Sequence, residues 1–179
     1  MAVRPHSGTL YVRRHSPLEE FREQAWNCMR CNYCQEVFSW YIKSWRFHEL
    51  CPSWARYKYP AYSAQGRLAI ARALIEGDMD WEDSDRLLDI IYQCNSCGAC
   101  EINCLRIGPS EPNKIIEALR ARAVEIGKGP MPAHKAEAEN IKKNHNVYGK
   151  SHEERFKWMP SDVKPAQKAE TAYFVGCES

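Results

Sequence analysis

Four cysteines at fixed intervals constrain this chain more than any other feature of its sequence. The stretch 94–104 reads CNSCGACEINC, a C-x2-C-x2-C-x3-C spacing. Zinc fingers and ribbons usually carry paired C-x2-C units. Three cysteines at successive three-residue steps are instead typical of loops that bind an iron–sulfur cluster, because three thiolates on one tight loop can hold three corners of a cubic cluster. The spacing therefore predicts a [4Fe–4S] site.

A second run of cysteines predicts a second cluster. The stretch 28–34, CMRCNYC, repeats the first three positions, and a Cys-Pro pair at 51–52 supplies the step that usually closes such a run. In proteins with two clusters, the fourth cysteine of a run ligates the other cluster. We therefore predict two [4Fe–4S] clusters with crossed fourth ligands. The first is assigned to Cys28, Cys31, Cys34 and Cys104, and the second to Cys94, Cys97, Cys100 and Cys51.

Composition narrows the class of protein further. The chain has 179 residues, 9 cysteines and a formal net charge of +2. Its first residues lack the apolar stretch of a secretory signal, and no apolar run approaches the roughly 18–20 residues of a membrane span. A disulfide framework is therefore not expected, and no Lys/Arg-rich block indicates nucleic-acid binding. We predict a cytoplasmic protein with no membrane span of its own, associated with a membrane only through partners.

The segments around the cysteine runs carry helical patterns, which predict an all-α fold. Apolar residues recur there at the spacing of one helix face. We expect helices at about 16–27, 64–76, 80–93, 111–126 and 130–143. Ser63 is predicted to cap the second of these and Gly77 to end it. The insert 35–50 between the first run and Cys51 is predicted to be a short aromatic helix, and 54–62 a loop.

The predicted organisation has four parts. Residues 1–15 are an N-terminal arm, 16–127 the domain with both clusters, and 128–171 a helix followed by a polar linker with a capping box at 151–154. Residues 172–176, AYFVG, are a strand signal with a glycine break. A lone strand leaves its backbone groups unpaired. We therefore expect 172–179 to pair with a partner chain or to begin another domain.

The expected chemistry is electron transfer. A cluster held by four protein thiolates has no open coordination position of the kind that catalytic metal sites keep. No G-x-S-x-G, P-loop or G-x-G-x-x-G motif suggests another active site, so the chain is not predicted to be catalytic by itself. Arg30 lies in the first loop and Glu101 follows the second. Nearby positive charge favours a reduced cluster, which predicts the higher potential for the first. A zinc-binding scaffold is the non-redox alternative.

Two C-x2-C-x2-C loops on a helical frame resemble the alpha-helical ferredoxin modules of heterodisulfide reductase, glycolate oxidase and anaerobic glycerol-3-phosphate dehydrogenase iron–sulfur subunits. Other stretches agree with this resemblance. Residues 63–68, SAQGRL, are similar to the S-P-R-G-R-I helix start between the two runs of that family. Residues 144–149, followed by Arg155 and Trp158, resemble its linker, and 173–177, YFVGC, resembles the opening of its CCG cysteine-rich domain.

The resemblance, strongest to the D- and C-type subunits of heterodisulfide reductase, implies an electron-relay chain in an anaerobic oxidoreductase complex. Its implied partners are other subunits of that complex, which carry a CCG domain, a flavin or a cytochrome. An alternative is the N-terminal part of a disulfide- or quinone-linked reductase whose catalytic CCG domain lies beyond Ser179. Cys177 is then part of that following domain.

Overall fold

The described part of the chain is built mainly from helices. The computed structural model describes residues 17–37, 41–104, 111–151, 153, 154, 157–163 and 168–171. Within these ranges lie α1 (Arg22–Trp26), α2 (Pro52–Tyr57), α3 (Ala64–Glu76), α4 (Leu87–Tyr92), α5 (Ala99–Ile102), α6 (Pro112–Glu125) and α7 (Pro132–Asn144). Two 3-10 turns, Leu18–Phe21 and Pro60–Tyr62, complete the set. The predicted helical class is confirmed.

Two compact units are distinguished, Met1–Gly129 and Pro130–Ser179. The described part of the chain contains no β-strand beyond one isolated bridge. Among the residues described, none of the seven helices combines the length and apolar character needed to cross a lipid bilayer. The predicted N-terminal arm at 1–15 and the predicted strand at 172–176 lie outside the described residues.

The core of the first unit lies between α3 and α6. Apolar side chains from both helices join those of α1, α4 and the first 3-10 turn in one cluster. Its buried members are Leu18, Phe21, Ala25, Leu68, Ala71, Leu87, Ile91, Ile115, Ala118 and Leu119. The three from α6 follow the i, i+3, i+4 spacing of one helix face. Each buried Leu or Ile contributes about 1.5–3 kcal/mol to stability, so this cluster fixes the helices from which the cysteine loops extend.

The longer helices agree with the sequence, and their ends show local differences. α3 spans Ala64–Glu76 and ends at Gly77, which has a φ of 76°. Ser63 stands at the N-cap without capping, because its hydroxyl donates to the Pro60 carbonyl at 2.7 Å. α4 begins later than predicted. The Asp83 carboxylate accepts from the Asp80 N–H at 2.7 Å, which holds this segment in a turn.

The insert 35–50 is not a helix where the structure describes it, and that prediction was wrong. Glu36 and Glu49 instead form an isolated antiparallel bridge. The N–H of Cys51 donates to the carbonyl of Gln35 at 3.2 Å. Backbone groups that a helix would pair internally are thus used between the two ends of the insert. The result is a closed loop that returns the chain from Cys34 to Cys51.

Residues 54–62 are also not the loop that we predicted. Pro52 begins α2 at the first helical position, where its missing N–H costs no hydrogen bond. The rings of Tyr57 and Tyr62 stack with their centroids 4.1 Å apart. The aromatic residues of this segment therefore join α2 to the following 3-10 turn. The short α5, with four residues, was not predicted because it is too short to show helical periodicity.

The second unit contains α7 and the turns that follow it. Asn146 is 4% exposed. Its side-chain nitrogen donates to the Lys150 carbonyl at 2.6 Å, and its side-chain oxygen accepts from the Lys150 N–H at 3.0 Å. The predicted capping box is present. The Glu154 N–H donates to the Ser151 hydroxyl, and the Ser151 N–H donates to the Glu154 carboxylate, each at 3.3 Å.

Gly66 generates a test of the packing of α3. A Cβ there would lie 2.3 Å from the Pro60 carbonyl oxygen and 2.5 Å from the Ala61 Cα, both backbone atoms. Gly66→Ala is therefore expected to displace α3 and to lower the free energy of unfolding by more than Gly77→Ala does. Nothing lies within 4 Å of a Cβ at Gly77, so the control carries only the left-handed backbone cost of about 1–2 kcal/mol. Anaerobic guanidinium unfolding measures both, and equal losses would contradict this packing.

Candidate metal centre

The first run of cysteines lines a cavity together with Cys104. Cys28, Cys31 and Cys34 reach it from the loop after α1, and Cys104 from the end of α5. The cavity encloses about 390 Å³, part of it open to solvent, and Cys100 contributes to its wall. The four thiols predicted to hold the first cluster are thus neighbours in space.

The second run lines a separate cavity together with Cys51. Cys94, Cys97 and Cys100 come from the loop after α4, and Cys51 from the residue before α2. The space within this cavity, counted with the part open to solvent, is about 370 Å³, close to that of the first. Cys97 is exposed, and the other three are partly buried. Two cavities of similar size with matching thiol sets suit two cofactors of one kind.

The chemistry of these donors fits a [4Fe–4S] cluster. Thiolates are the soft ligands that iron–sulfur clusters take. In the part of the chain that the structure describes, the cysteines form no disulfide. Within the same residues, no three or more His, Cys, Asp or Glu side chains lie close enough together to bind one metal ion. The thiols line the walls of the two cavities instead, an arrangement suited to a cluster in which each of four irons takes one thiolate.

A local contact brings Cys104 to the first loop. The Asn103 side chain donates to the Tyr33 carbonyl at 2.6 Å, which ties the residue before Cys104 to the residue before Cys34. The short α5 turns the chain toward this contact. The paired ends of the insert hold Cys51 beside Gln35. Arg67 then joins the segment after Cys51 to α4, because it donates to the Ser53 hydroxyl at 2.9 Å and to the Ile90 carbonyl at 2.8 Å.

The two loops share a backbone conformation as well as a sequence pattern. Arg30 and Asn32 have φ values of 55° and 67° in the first loop. Ser96 and Gly98, at the same third and fifth positions of the second loop, have φ values of 53° and 74°. Residues other than glycine adopt this region at a cost of about 1–3 kcal/mol and do so mainly at functional sites. The sequence repeat is therefore also a structural repeat.

Backbone N–H groups point at two of the sulfurs. The Gln65 N–H donates to the Cys34 sulfur, and the Ser96 N–H to the Cys94 sulfur, each at 3.4 Å. Gln65 lies in the first turn of α3, where the helix dipole also favours negative charge. Both contacts stabilise a thiolate relative to a thiol.

One thin wall separates the cavities. Ala64, the first residue of α3, lines both of them, and so does Cys100. Ala64 is 3% exposed, so its methyl group is enclosed by the protein. A small residue at this position lets the two cavities lie side by side.

Burial opposes ionisation of the cysteine thiols when no metal is bound. Desolvation, and secondarily the neighbouring thiols, raise the pKa of Cys100 from 9.0 to about 12. Desolvation raises the pKa of Cys34 to about 11, although the hydrogen bond from the Gln65 N–H lowers it. The pKa of Cys28 is raised as well, again mainly by burial. Burial therefore favours the protonated thiols, and a bound metal displaces those protons.

Sequence reasoning missed Arg67 as a residue of the site. Its side chain is 1% exposed and lines the second cavity beside the cysteines. The available signal was its place in SAQGRL, next to Leu68 on the buried side of α3. Helical spacing alone did not mark it, because an arginine on a helix is usually assigned to the solvent face.

Comparisons with known proteins agree with this geometry. Residues 24–106 match the family described as 4Fe-4S dicluster domain. The chain is 29% identical over 156 residues to the D-type subunit of dihydromethanophenazine:CoB–CoM heterodisulfide reductase from Methanosarcina barkeri. It is 28% identical over 158 residues to the protein of the same name from Methanosarcina mazei. Each alignment covers 84% of this chain and 36% of the relative. No solved structure matches the chain significantly.

The match confirms the predicted cofactors, two [4Fe–4S] clusters, because a dicluster domain accounts for both cysteine runs. The chain spans little more than a third of the length of these curated relatives, 36% in each case. The chain is thus an iron–sulfur protein whose residues 24–106 are similar to the 4Fe-4S dicluster domain and which is similar over most of its length to the D-type subunit of heterodisulfide reductase.

Proposed function

We propose that this chain relays electrons between other subunits of an anaerobic oxidoreductase complex of heterodisulfide reductase type. The observation that carries the proposal is the pair of four-cysteine cavities that share a wall at Ala64 and Cys100. A [4Fe–4S] cluster takes up or releases one electron at a time. The chain's own residues hold the two clusters side by side and stabilise their negative charge.

The proposed ligand sets are those expected from the sequence. Cys28, Cys31, Cys34 and Cys104 hold the first cluster, and Cys94, Cys97, Cys100 and Cys51 hold the second. Their grouping around separate cavities supports this assignment. Cys100 adjoins both cavities, and its place in the second loop assigns it to the second cluster.

The partners are proposed from the relatives. Those proteins are named as subunits of a reductase acting on dihydromethanophenazine and the CoB–CoM heterodisulfide. We infer that this chain docks with subunits that carry a CCG domain, a flavin or a cytochrome, and that it is cytoplasmic. A second candidate is that the relay is one part of a longer disulfide- or quinone-linked reductase. The greater length of the relatives favours that candidate.

Paired cysteine substitutions test the crossed ligand sets. Each of Cys28→Ala, Cys51→Ala and Cys104→Ala is expected to lower iron content by about half, because one of the two clusters is lost. Cys28→Ala combined with Cys104→Ala should lose no more than either alone, since both remove the first cluster. Cys28→Ala combined with Cys51→Ala should lose nearly all iron.

Cys177→Ala is the matched control and should keep both clusters. Iron and sulfide analysis after anaerobic reconstitution gives the result. The opposite pattern would show that the ligand sets are not crossed. In that case the Cys28 and Cys104 double variant would lose nearly all iron, and the Cys28 and Cys51 double variant would lose no more than either single variant.

The cluster-free protein should lose stability at high pH. Thiols whose pKa is raised by folding favour the folded state below the unfolded pKa of 9.0, and this contribution is lost as pH rises toward the folded pKa. Between pH 8 and 10 the free energy of unfolding is expected to fall by about 1 kcal/mol for each of Cys34 and Cys100. Urea unfolding under reducing conditions measures it. A double substitution of both by Ala should flatten the profile, and an equally steep profile in that variant would contradict this origin.

The native subunit mass separates the two candidate functions. If the chain is a dedicated relay, anaerobic purification from the source should yield a subunit near 20.8 kDa with stoichiometric partner chains. A much heavier subunit that contains this sequence would support the longer reductase. A monomer of 20.8 kDa without partners would contradict both.

A further inference from the structure

Arg67 is a charged side chain enclosed by the fold at the second cavity. It is 1% exposed and belongs to the wall that also contains Cys51, Cys94, Cys97 and Cys100. A guanidinium stays protonated in proteins. A buried charge is costly unless an opposite charge compensates it. The partner of this cation therefore identifies what the cavity is built to hold.

The hydrogen bonds of Arg67 go to neutral acceptors. Its Nε donates to the Ile90 carbonyl at 2.8 Å and its Nη1 to the Tyr62 carbonyl at 2.7 Å. Its Nη2 donates to the Ser53 hydroxyl at 2.9 Å. No Asp or Glu is among the described residues that line this cavity. These contacts orient the guanidinium and leave its charge to be balanced by the thiolates and the cluster.

A second arginine lies on the same side. Arg120 of α6 donates to the Cys94 carbonyl, and to the Ser96 hydroxyl at 3.0 Å, so it is fixed to the second loop. Its guanidinium also lies 5.2 Å from the centre of the Tyr92 ring. Arg120 is partly buried. One oriented cation, Arg67, therefore lines the second cavity, and a second, Arg120, is bound to the loop that supplies its cysteines.

The first cavity has a weaker electrostatic environment. Arg30 belongs to its wall but is exposed to solvent, where water and salt screen a charge strongly. The N-terminus of α3 adjoins both cavities through Ala64. Its Gln65 N–H donates to Cys34 in the first set of thiols, and the Ser96 N–H makes the matching bond to Cys94 in the second, so one such bond is present on each side. Exposure of Cys97 adds to the difference, because solvent access is one of the factors that set cluster potentials, and water stabilises the more negative reduced state.

We propose that Arg67, assisted by Arg120, gives the cluster of the second cavity the higher reduction potential, so that electrons move from the first cluster to the second. With four thiolates an oxidised cluster carries a net charge of about −2, and one added electron makes it about −3. A fixed cation stabilises the more negative state. This order of reduction potentials is opposite to the one expected from Arg30 and Glu101. A buried charge acts on a cluster more strongly than an exposed charge that lies nearer to the ligands in sequence. The inference rests on the proposed ligand sets.

Potentiometric titration followed by EPR tests the proposal on the full chain loaded with both clusters under anaerobic conditions. The unmodified protein should show two one-electron waves. Arg67→Gln should lower the midpoint of the higher wave and leave the lower one unchanged. Arg67→Lys, which retains the charge, should lower it less. Arg72→Gln is the control on the same helix, since that guanidinium lies 4.4 Å from the ring centre of Trp26, and both waves should stay in place.

Each outcome decides the proposal. A shift of the lower wave in Arg67→Gln overturns the order of potentials, and unchanged waves at full iron content overturn the role of Arg67. If Arg67→Gln does not retain its clusters, Arg120→Gln decides, since it should lower the same higher wave and an unchanged wave would overturn the proposal. Iron content well below two clusters in the unmodified chain would instead contradict the proposed function.

Discussion

The return of each fourth cysteine to the opposite loop is the constraint on which the rest of the structure depends. A loop of seven residues supplies three thiolates to a cluster, and the fourth must come from a distant part of the chain. Here Asn103 binds the Tyr33 carbonyl, which brings Cys104 to the first loop. Arg67 binds Ser53, two residues after Cys51, and the Ile90 carbonyl of α4, the helix that leads into the second loop. Because the proposed ligands of each cluster come from both halves of the domain, cluster binding and folding are coupled.

Electrostatics explains why such a site needs more than cysteines. Burial raises the pKa of Cys34 and Cys100, so the empty fold favours neutral thiols. Positive iron, the N–H groups of Gln65 and Ser96 and the buried guanidinium of Arg67 act in the opposite direction. These groups all favour negative charge at the cysteines, so the site depends on its surroundings as well as on its thiolates.

The sequence predicted what depends on spacing and could not predict what depends on three-dimensional contacts. The cysteine runs indicated two clusters, and helical periodicity located α3, α6 and α7. The insert was misassigned because an aromatic pattern does not show that its ends pair. The left-handed backbone of Arg30 and Ser96 leaves no signal in residue type. The burial of Arg67 is set by three acceptors from separate segments, which no local pattern reveals.

The measurement that tests the central claim most directly is the metal and sulfide content of the chain purified without exposure to oxygen, together with its Mössbauer spectrum. Two [4Fe–4S] clusters require about eight iron and eight acid-labile sulfide per chain, with the spectrum of cubic clusters. Zinc in place of iron, without sulfide, would contradict the account and identify the cysteines as a zinc-binding scaffold.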